Sequence, residues 1–343
     1  WIRPSINSEE ALAVAEKFRS EIEQLIIDAH TQTVTVTVSI GIALINDSCS
    51  EPSIILQRSH QASEEAKNTT GKRKGNSVHC YVPEEPKPDK SDDGIEKQVT
   101  EALKDNSFDL LYQPLINLRG DDHEHYEALL RLTLSDGEEL SGGKILNGFV
   151  VSEDLKRKID RWVILHATKK LREHLKTHPQ TRLFINISAA SLMDKSLIAW
   201  ISVALKAAKI DKSAVVFQIN EEDATKFLTQ AQAFTSELKS KGHLSALSRF
   251  GCSLKPLQTL QHLSLDFVKM DSSFTRELDQ ETTLESLKEM TSALHELELK
   301  TIIPAVESAQ QVAALWQLGV HFIQGFYVQT PQPFMGYNFS DEN

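Results

Sequence analysis

Apolar positions change period several times along the first eighty residues. From Asn7-Ser8-Glu9-Glu10 to about Ile27 they recur at helical spacing, with Asn7 or Ser8 as the N-cap. From Thr33 to Leu44 the run is β-branched with Gly41 inside it, which predicts a strand. Residues 53–67 return to helical spacing and end in a Lys/Gly-rich turn around Gly71 and Gly75. Ser77 to Val82 predict a short closing strand. Two helices and two strands bury little apolar surface. This segment is therefore expected to be the second half of a domain whose first half would precede Trp1.

Residues 83–92 break the pattern, with three prolines among alternating charges. Such a stretch reads as a linker. It divides the chain into 1–82, a linker at 83–92, and 93–343. In the last segment apolar strand patterns fall at 108–116, 125–132, 182–187, 214–219, 244–249, 265–270, 300–305 and 320–327. Helical patterns fall at 155–176, 192–208, 222–240, 276–297 and 307–317. Eight strands with intervening helices over about 250 residues predict an α/β fold of the β/α (TIM-like) barrel type. A doubly wound open sheet is the alternative, but no glycine-rich phosphate loop follows an early strand.

Composition narrows the functional classes. The net charge of −11 argues against a general nucleic-acid or membrane-surface binder, while a single nucleotide needs only a few local cations. No apolar run approaches the roughly 20 residues that span a bilayer, so membrane insertion is not expected. Cys49, Cys80 and Cys252 lie far apart without a paired spacing, as expected of reduced structural thiols in the cytoplasm.

In a β/α barrel the site sits at the C-terminal strand ends. The polar residues predicted there are Asn186, Gln218, Ser248 with Arg249, Lys269 with Asp271, and Gln324, with Pro304 beside them. Glu127 and Arg131 lie on the early strand at 126–132, and Gln113 lies in Leu111-Tyr112-Gln113-Pro114-Leu115. Glu127 and Arg131 are four apart and share a strand face.

These residues carry a family resemblance. Tyr112-Gln113-Pro114, Glu127-Ala128-Leu129-Leu130-Arg131, Phe184-Ile185-Asn186-Ile187-Ser188, Phe267-Val268-Lys269-Met270-Asp271, Val306-Glu307 and Gln324-Gly325-Phe326 stand in order and at the spacing of an EAL domain. Residues 93–343 therefore resemble the cyclic di-GMP phosphodiesterase barrel. The resemblance implies a cyclic di-GMP site of Gln113, Glu127, Leu129, Arg131, Asp160, Asn186, Lys269, Glu307 and Gln324. Val36-Thr37-Val38-Ser39-Ile40-Gly41-Ile42 and Ser59-His60-Gln61-Ala62 resemble the late part of a GGDEF domain, with His60 and Glu64 departing from its pattern. The GGDEF signature itself would precede Trp1.

The departures bear on activity. Gln218-Ile219-Asn220-Glu221 stands where active members carry a glutamate, then a threonine and a second glutamate. Ser248-Arg249-Phe250-Gly251 stands where they carry paired aspartates before Phe-Gly. Pro304-Ala305-Val306-Glu307 stands for Glu-Gly-Val-Glu. Two-metal hydrolysis needs several carboxylates around two divalent ions, and Arg249 adds a cation that repels Mg²⁺ and attracts phosphate. The expectation is a degenerate GGDEF–EAL protein that binds cyclic di-GMP without needing a metal and does not hydrolyse it. Regulators of this kind in type IV pilus function and twitching motility imply a PilZ-type protein partner and placement at the cell pole; homodimerisation stays open. Residual phosphodiesterase activity and a scaffold without nucleotide binding are the competing readings.

Each residue also has a structural reading. Glu127 could pair with Arg131, Lys269 with Asp271, Asn186 could cap a loop, and Gln113 could be a core amide. Glu307 could open the next helix. Asp160 could lie on a helix surface, and His123 and His125 read as solvated.

Overall fold

The computed structural model describes residues 8–29, 32–43, 58–60, 62–63, 66–67, 76–81, 92–120, 122–147, 151–253, 256–276, 278 and 280–339. The chain divides into two compact units, Trp1–Lys87 and Pro88–Asn343. Asn7, Cys49, Glu64, Gly71, Gly75 and the linker at 83–91 lie outside the described residues.

In the first unit a helix spans Ser8–Glu23. It stops four residues short of Ile27, because β1 (Ile26–Ala29) pairs antiparallel with β2 (Gln32–Thr35). Ile26 and Ile27 are β-branched and fit a pleated ladder better than a last helical turn. The strand predicted over 33–44 is two strands: β2, and β3 (Ile40–Ile42), which pairs parallel with β4 (Val78–Cys80). Within the predicted helix 53–67, the described residues 58–60, 62–63 and 66–67 are helical. Gly41 has no substitute here: a Cβ would run into the backbone of Ser59 and Ser63.

The second unit begins with the helix Asp92–Asp105 and closes into an eight-stranded barrel. Its strands are β5 (Asp109–Asn117), β6 (Glu124–Thr133), β8 (Thr181–Asn186), β9 (Val215–Asn220), β10 (Leu244–Phe250), β11 (Phe267–Met270), β12 (Lys300–Ile303) and β13 (Phe322–Ile323). All eight predicted strands are present. A short β7 (Glu139–Ser141) extends β6 outside the barrel.

The order differs from an all-parallel barrel in one strand. β5 runs antiparallel to both neighbours, β6 and β13, while β6 and β8 to β13 run parallel. The β5–β6 connection is too short for a crossover, which needs a dozen or more residues, so it folds as a hairpin.

Period-two alternation along the strands stacks two layers inside the barrel. The floor is apolar: Leu115, Phe184, Val216, Ala246, Phe267, Ile302 and Phe322 pack together. His125 belongs to this floor. It is fully buried, with its ring 4.6 Å from Phe322 and 6.1 Å from both Phe184 and Phe267. The solvated reading of His125 is thus corrected: it shares the inward parity of Glu127, two residues on. The remaining core lies between the strands and the outer helices, such as Glu153–His174, Leu197–Ala208 and Leu228–Ser240.

Candidate functional site

Above the aromatic floor the inward layer turns polar. Glu127 on β6 is 6% exposed and its carboxylate sits at the centre of the layer. One oxygen, Oε1, accepts from Asn186 Nδ2 and Gln218 Nε2, each at 3.0 Å. The other, Oε2, accepts from Lys269 Nζ at 2.7 Å and Gln324 Nε2 at 2.8 Å. Four donors from β8, β9, β11 and the end of β13 thus converge on one carboxylate. Gln218 Nε2 also donates to Asn186 Oδ1 at 2.7 Å. Burial opposes ionisation of Glu127, and the Lys269 ammonium with the Gln324 and Asn186 amides overrides it, so the carboxyl is held below its ordinary value.

This layer is the base of a cavity of about 430 Å³, within the roughly 300–1,000 Å³ of small-molecule sites. Leu129, Arg131, Asp160, Asp271 and Arg249 form parts of its wall. Arg131 Nε lies 3.2 Å from Glu139 Oε1 on β7, and its Nη1 donates to Leu130 O. Glu127 therefore pairs with Lys269 and Arg131 with Glu139, in place of the Glu127–Arg131 and Lys269–Asp271 pairs that spacing alone allowed.

Asp160 is fully buried, not on a helix surface. Its Oδ2 accepts from the Ser188 amide at 3.1 Å and the Ser188 hydroxyl at 2.5 Å. Burial pushes Asp160 up to about 6, against the lowering effect of Ser188.

Arg249 is an exposed residue of the cavity wall and makes no ion pair among the described residues. Its guanidinium reaches over Gly143, with Nη2 3.6 Å from where a Cβ on that glycine would stand. Its backbone has φ of 53°, a left-handed conformation uncommon outside glycine. The turn that follows it, at 251–253, is fixed by Glu221, a buried carboxylate. Oε2 of Glu221 accepts from the amides of Gly251, Cys252 and Ser253 at 3.0, 3.0 and 3.2 Å, and Oε1 accepts from Ser253 Oγ at 2.7 Å.

Seven residues of the expected site line the cavity: Glu127, Leu129, Arg131, Asp160, Asn186, Lys269 and Gln324. Gln113 and Glu307 do not. Gln113 stands opposite Glu127 across the β5–β6 pair, but its Nε2 donates to Gln329 O at 3.0 Å. Glu307 is exposed, and its amide donates to Gln311 Oε1; the helix after it starts at Ala309 with Ser308 as the cap. The wall also includes Ser141, Gly142, Gly143 and Ser188, which the strand-end reading missed. The consecutive small residues Ser141-Gly142-Gly143 were the available signal, since glycine lets backbone approach a ligand closely. Of the described cysteines, Cys80 is buried and Cys252 is exposed.

A TIM-like barrel with a polar, charge-lined mouth at its strand ends defines the class, and residues 96–331 match the EAL domain family. The chain belongs to that family. Residues 1–73 match the family described as diguanylate cyclase, GGDEF domain, so the chain resembles a FimX-like GGDEF–EAL protein. The EAL domain of FimX from Pseudomonas aeruginosa bound to c-di-GMP is 46% identical, over 71% of this chain and 98% of that one, with a TM-score of 0.66. The FimX EAL domain of Xanthomonas citri in complex with c-diGMP is 29% identical, over 71% and 95%, with a TM-score of 0.64. Among curated proteins, the cyclic di-GMP phosphodiesterase PdeF of Escherichia coli is 28% identical over 240 residues, 69% of this chain and 31% of PdeF. The chain spans about half the length, or less, of the curated relatives it matches. Among the described residues, no helix is long and apolar enough to cross a membrane.

Proposed function

We propose that the barrel is a cyclic di-GMP receptor that holds the nucleotide without hydrolysing it. The observation that carries this reading is the state of Glu127. Two-metal phosphodiester hydrolysis needs several carboxylates around two divalent ions. The inward layer offers one carboxylate, and both of its oxygens already accept two N–H donors, one of them a lysine ammonium at 2.7 Å. The neighbouring positions on β9 and β10 are Gln218 and Ser248, which bring no charge. Asp160 and Asp271 on the wall are held by Ser188 and by the Ser273 amide. This donor set does not fit a pair of magnesium ions, which favour ionised oxygen ligands.

The same cavity suits a phosphodiester. Arg131 and Arg249 stand on its wall, and guanidinium groups match phosphate oxygens in pairs. The solved FimX EAL domains with bound cyclic di-GMP support the choice of ligand. The likeness to FimX extends the reading to regulation of type IV pilus function and twitching motility at the cell pole, through a PilZ-type partner. The domain division proposed is 1–82, linker 83–92 and 93–343, and Gln113 and Glu307 join the site only if bound nucleotide extends beyond the cavity.

The phosphodiesterase relatives favour the competing reading, and one assay separates the two. The protein is incubated with cyclic di-GMP and Mg²⁺ or Mn²⁺, and the nucleotide is resolved by chromatography. Intact cyclic di-GMP is expected. Turnover to the linear dinucleotide that is lost in Glu127→Gln would overturn the proposal.

A further inference from the structure

Away from the cavity, at the opposite end of the barrel strands, three metal-ligating side chains meet. Glu124 is the first residue of β6, and His174 is the last residue of the helix Glu153–His174. The amide of His178 donates to His174 O at 3.0 Å, so the chain continues one further helix-like turn past the helix end. Residues four apart on such a turn share a face. Accordingly the imidazoles of His174 and His178 stack 4.3 Å apart and 6° from parallel.

Among the described residues, Glu124, His174 and His178 each offer one ligand atom, and these atoms lie within 4.8 Å of one another. His174 Nε2 stands 3.2 Å from Glu124 Oε2. That is close to one edge of a tetrahedral zinc site, where bonds of roughly 2.0–2.1 Å separate neighbouring ligands by about 3.3 Å. An outer contact of the kind that orients a metal ligand is also in place. The Thr181 hydroxyl lies 3.1 Å from the same Glu124 oxygen and 2.9 Å from His178 O. The edge of the Tyr126 ring system packs against His174, with centroids 5.8 Å apart.

We propose that Glu124, His174 and His178 bind a divalent transition metal of the zinc class, with the fourth position open to water. Parallel rings cannot both aim in-plane lone pairs at one ion. His178 is exposed, so a rotation of its side chain completes the set while Glu124 and His174 keep their places. The bound ion would tie the start of β6 to the turn after the helix. The site is independent of the nucleotide reading, since it shares no residue with the cavity.

The test is a Zn²⁺ titration of the metal-free full chain against a chromogenic chelator, with Co²⁺ absorption as the geometric readout. One equivalent of Zn²⁺ is expected to bind, with visible Co²⁺ bands of tetrahedral intensity. His174→Gln and His178→Gln should each weaken binding by more than about tenfold, and Thr181→Val by roughly tenfold. His178 is exposed, so its variant keeps the fold, and an unchanged circular dichroism spectrum checks this. Absence of stoichiometric binding, or wild-type affinity in His178→Gln, would overturn the site and leave a stacked histidine pair bonded to a carboxylate.

Discussion

Lys269 and Glu127 are both nearly excluded from water and form one ion pair at the base of the cavity. Removing one partner of a buried pair strands the other charge. Lys269→Met is therefore expected to lower the unfolding free energy by about 3–5 kcal/mol. The double variant Glu127→Gln/Lys269→Met should recover most of that loss, and urea denaturation measures both. A single variant as stable as the parent would mean the pair is not closed. Two carboxyls give opposite pH signatures. Glu127 has a folded pKa below the ordinary glutamate range, so its contribution is present above that range and lost as pH falls through the lower folded value. Asp160 rises from 3.8 to about 6, so its contribution is present below the lower figure and lost as pH climbs through the upper one. Asp160→Asn should flatten the fall in stability over that interval; a slope equal to the parent's would remove Asp160 as its source. For binding, Arg131→Ala and Arg249→Gly are each expected to weaken cyclic di-GMP by at least about tenfold, the scale of one charge-assisted hydrogen bond. Glycine is chosen at 249 because it keeps the left-handed backbone at no steric cost. Equal affinity in a folded variant would take that arginine out of the site.

The turn after β10 depends on one side chain, because Glu221 holds the three successive amides Gly251, Cys252 and Ser253. Glu221→Ala should cost on the order of 2–4 kcal/mol, given hydrogen bonds to a charged acceptor. It should also raise amide exchange at 251–253 and weaken nucleotide binding, because Arg249 stands at the end of β10, two residues before this turn. Exchange confined to its parental rate would show that the turn is held otherwise. Most elements were legible in the sequence. Runs such as Val215-Val216-Phe217 are buried on both faces and stand out between helical patterns. Ile26-Ile27 suited either period, and only pairing with β2 decided it. The antiparallel β5 was missed although the short 118–123 connection excludes a crossover. Gln113 illustrates what sequence cannot give: its register partner is Glu127, but its amide is taken by a carbonyl 216 residues later. Likewise, that Glu127 would gather donors from four strands follows from barrel closure, not from any local spacing.

At the scale of the whole barrel, the interior is divided between an aromatic floor and a polar layer. The carboxylate at the centre of the polar layer is satisfied internally, by one ammonium and three amides. A barrel organised in this way needs no ion to neutralise its base, while arginines at its rim remain able to meet an anion. The central claim is thus that nucleotide binding requires no divalent metal and leaves the nucleotide intact. Calorimetric titration with cyclic di-GMP, once in EDTA and once in excess Mg²⁺, tests it most directly when the recovered nucleotide is checked for breakdown. The account predicts the same affinity in both and intact nucleotide in both. Binding that appears only with Mg²⁺, or recovery of the linear product, would contradict it.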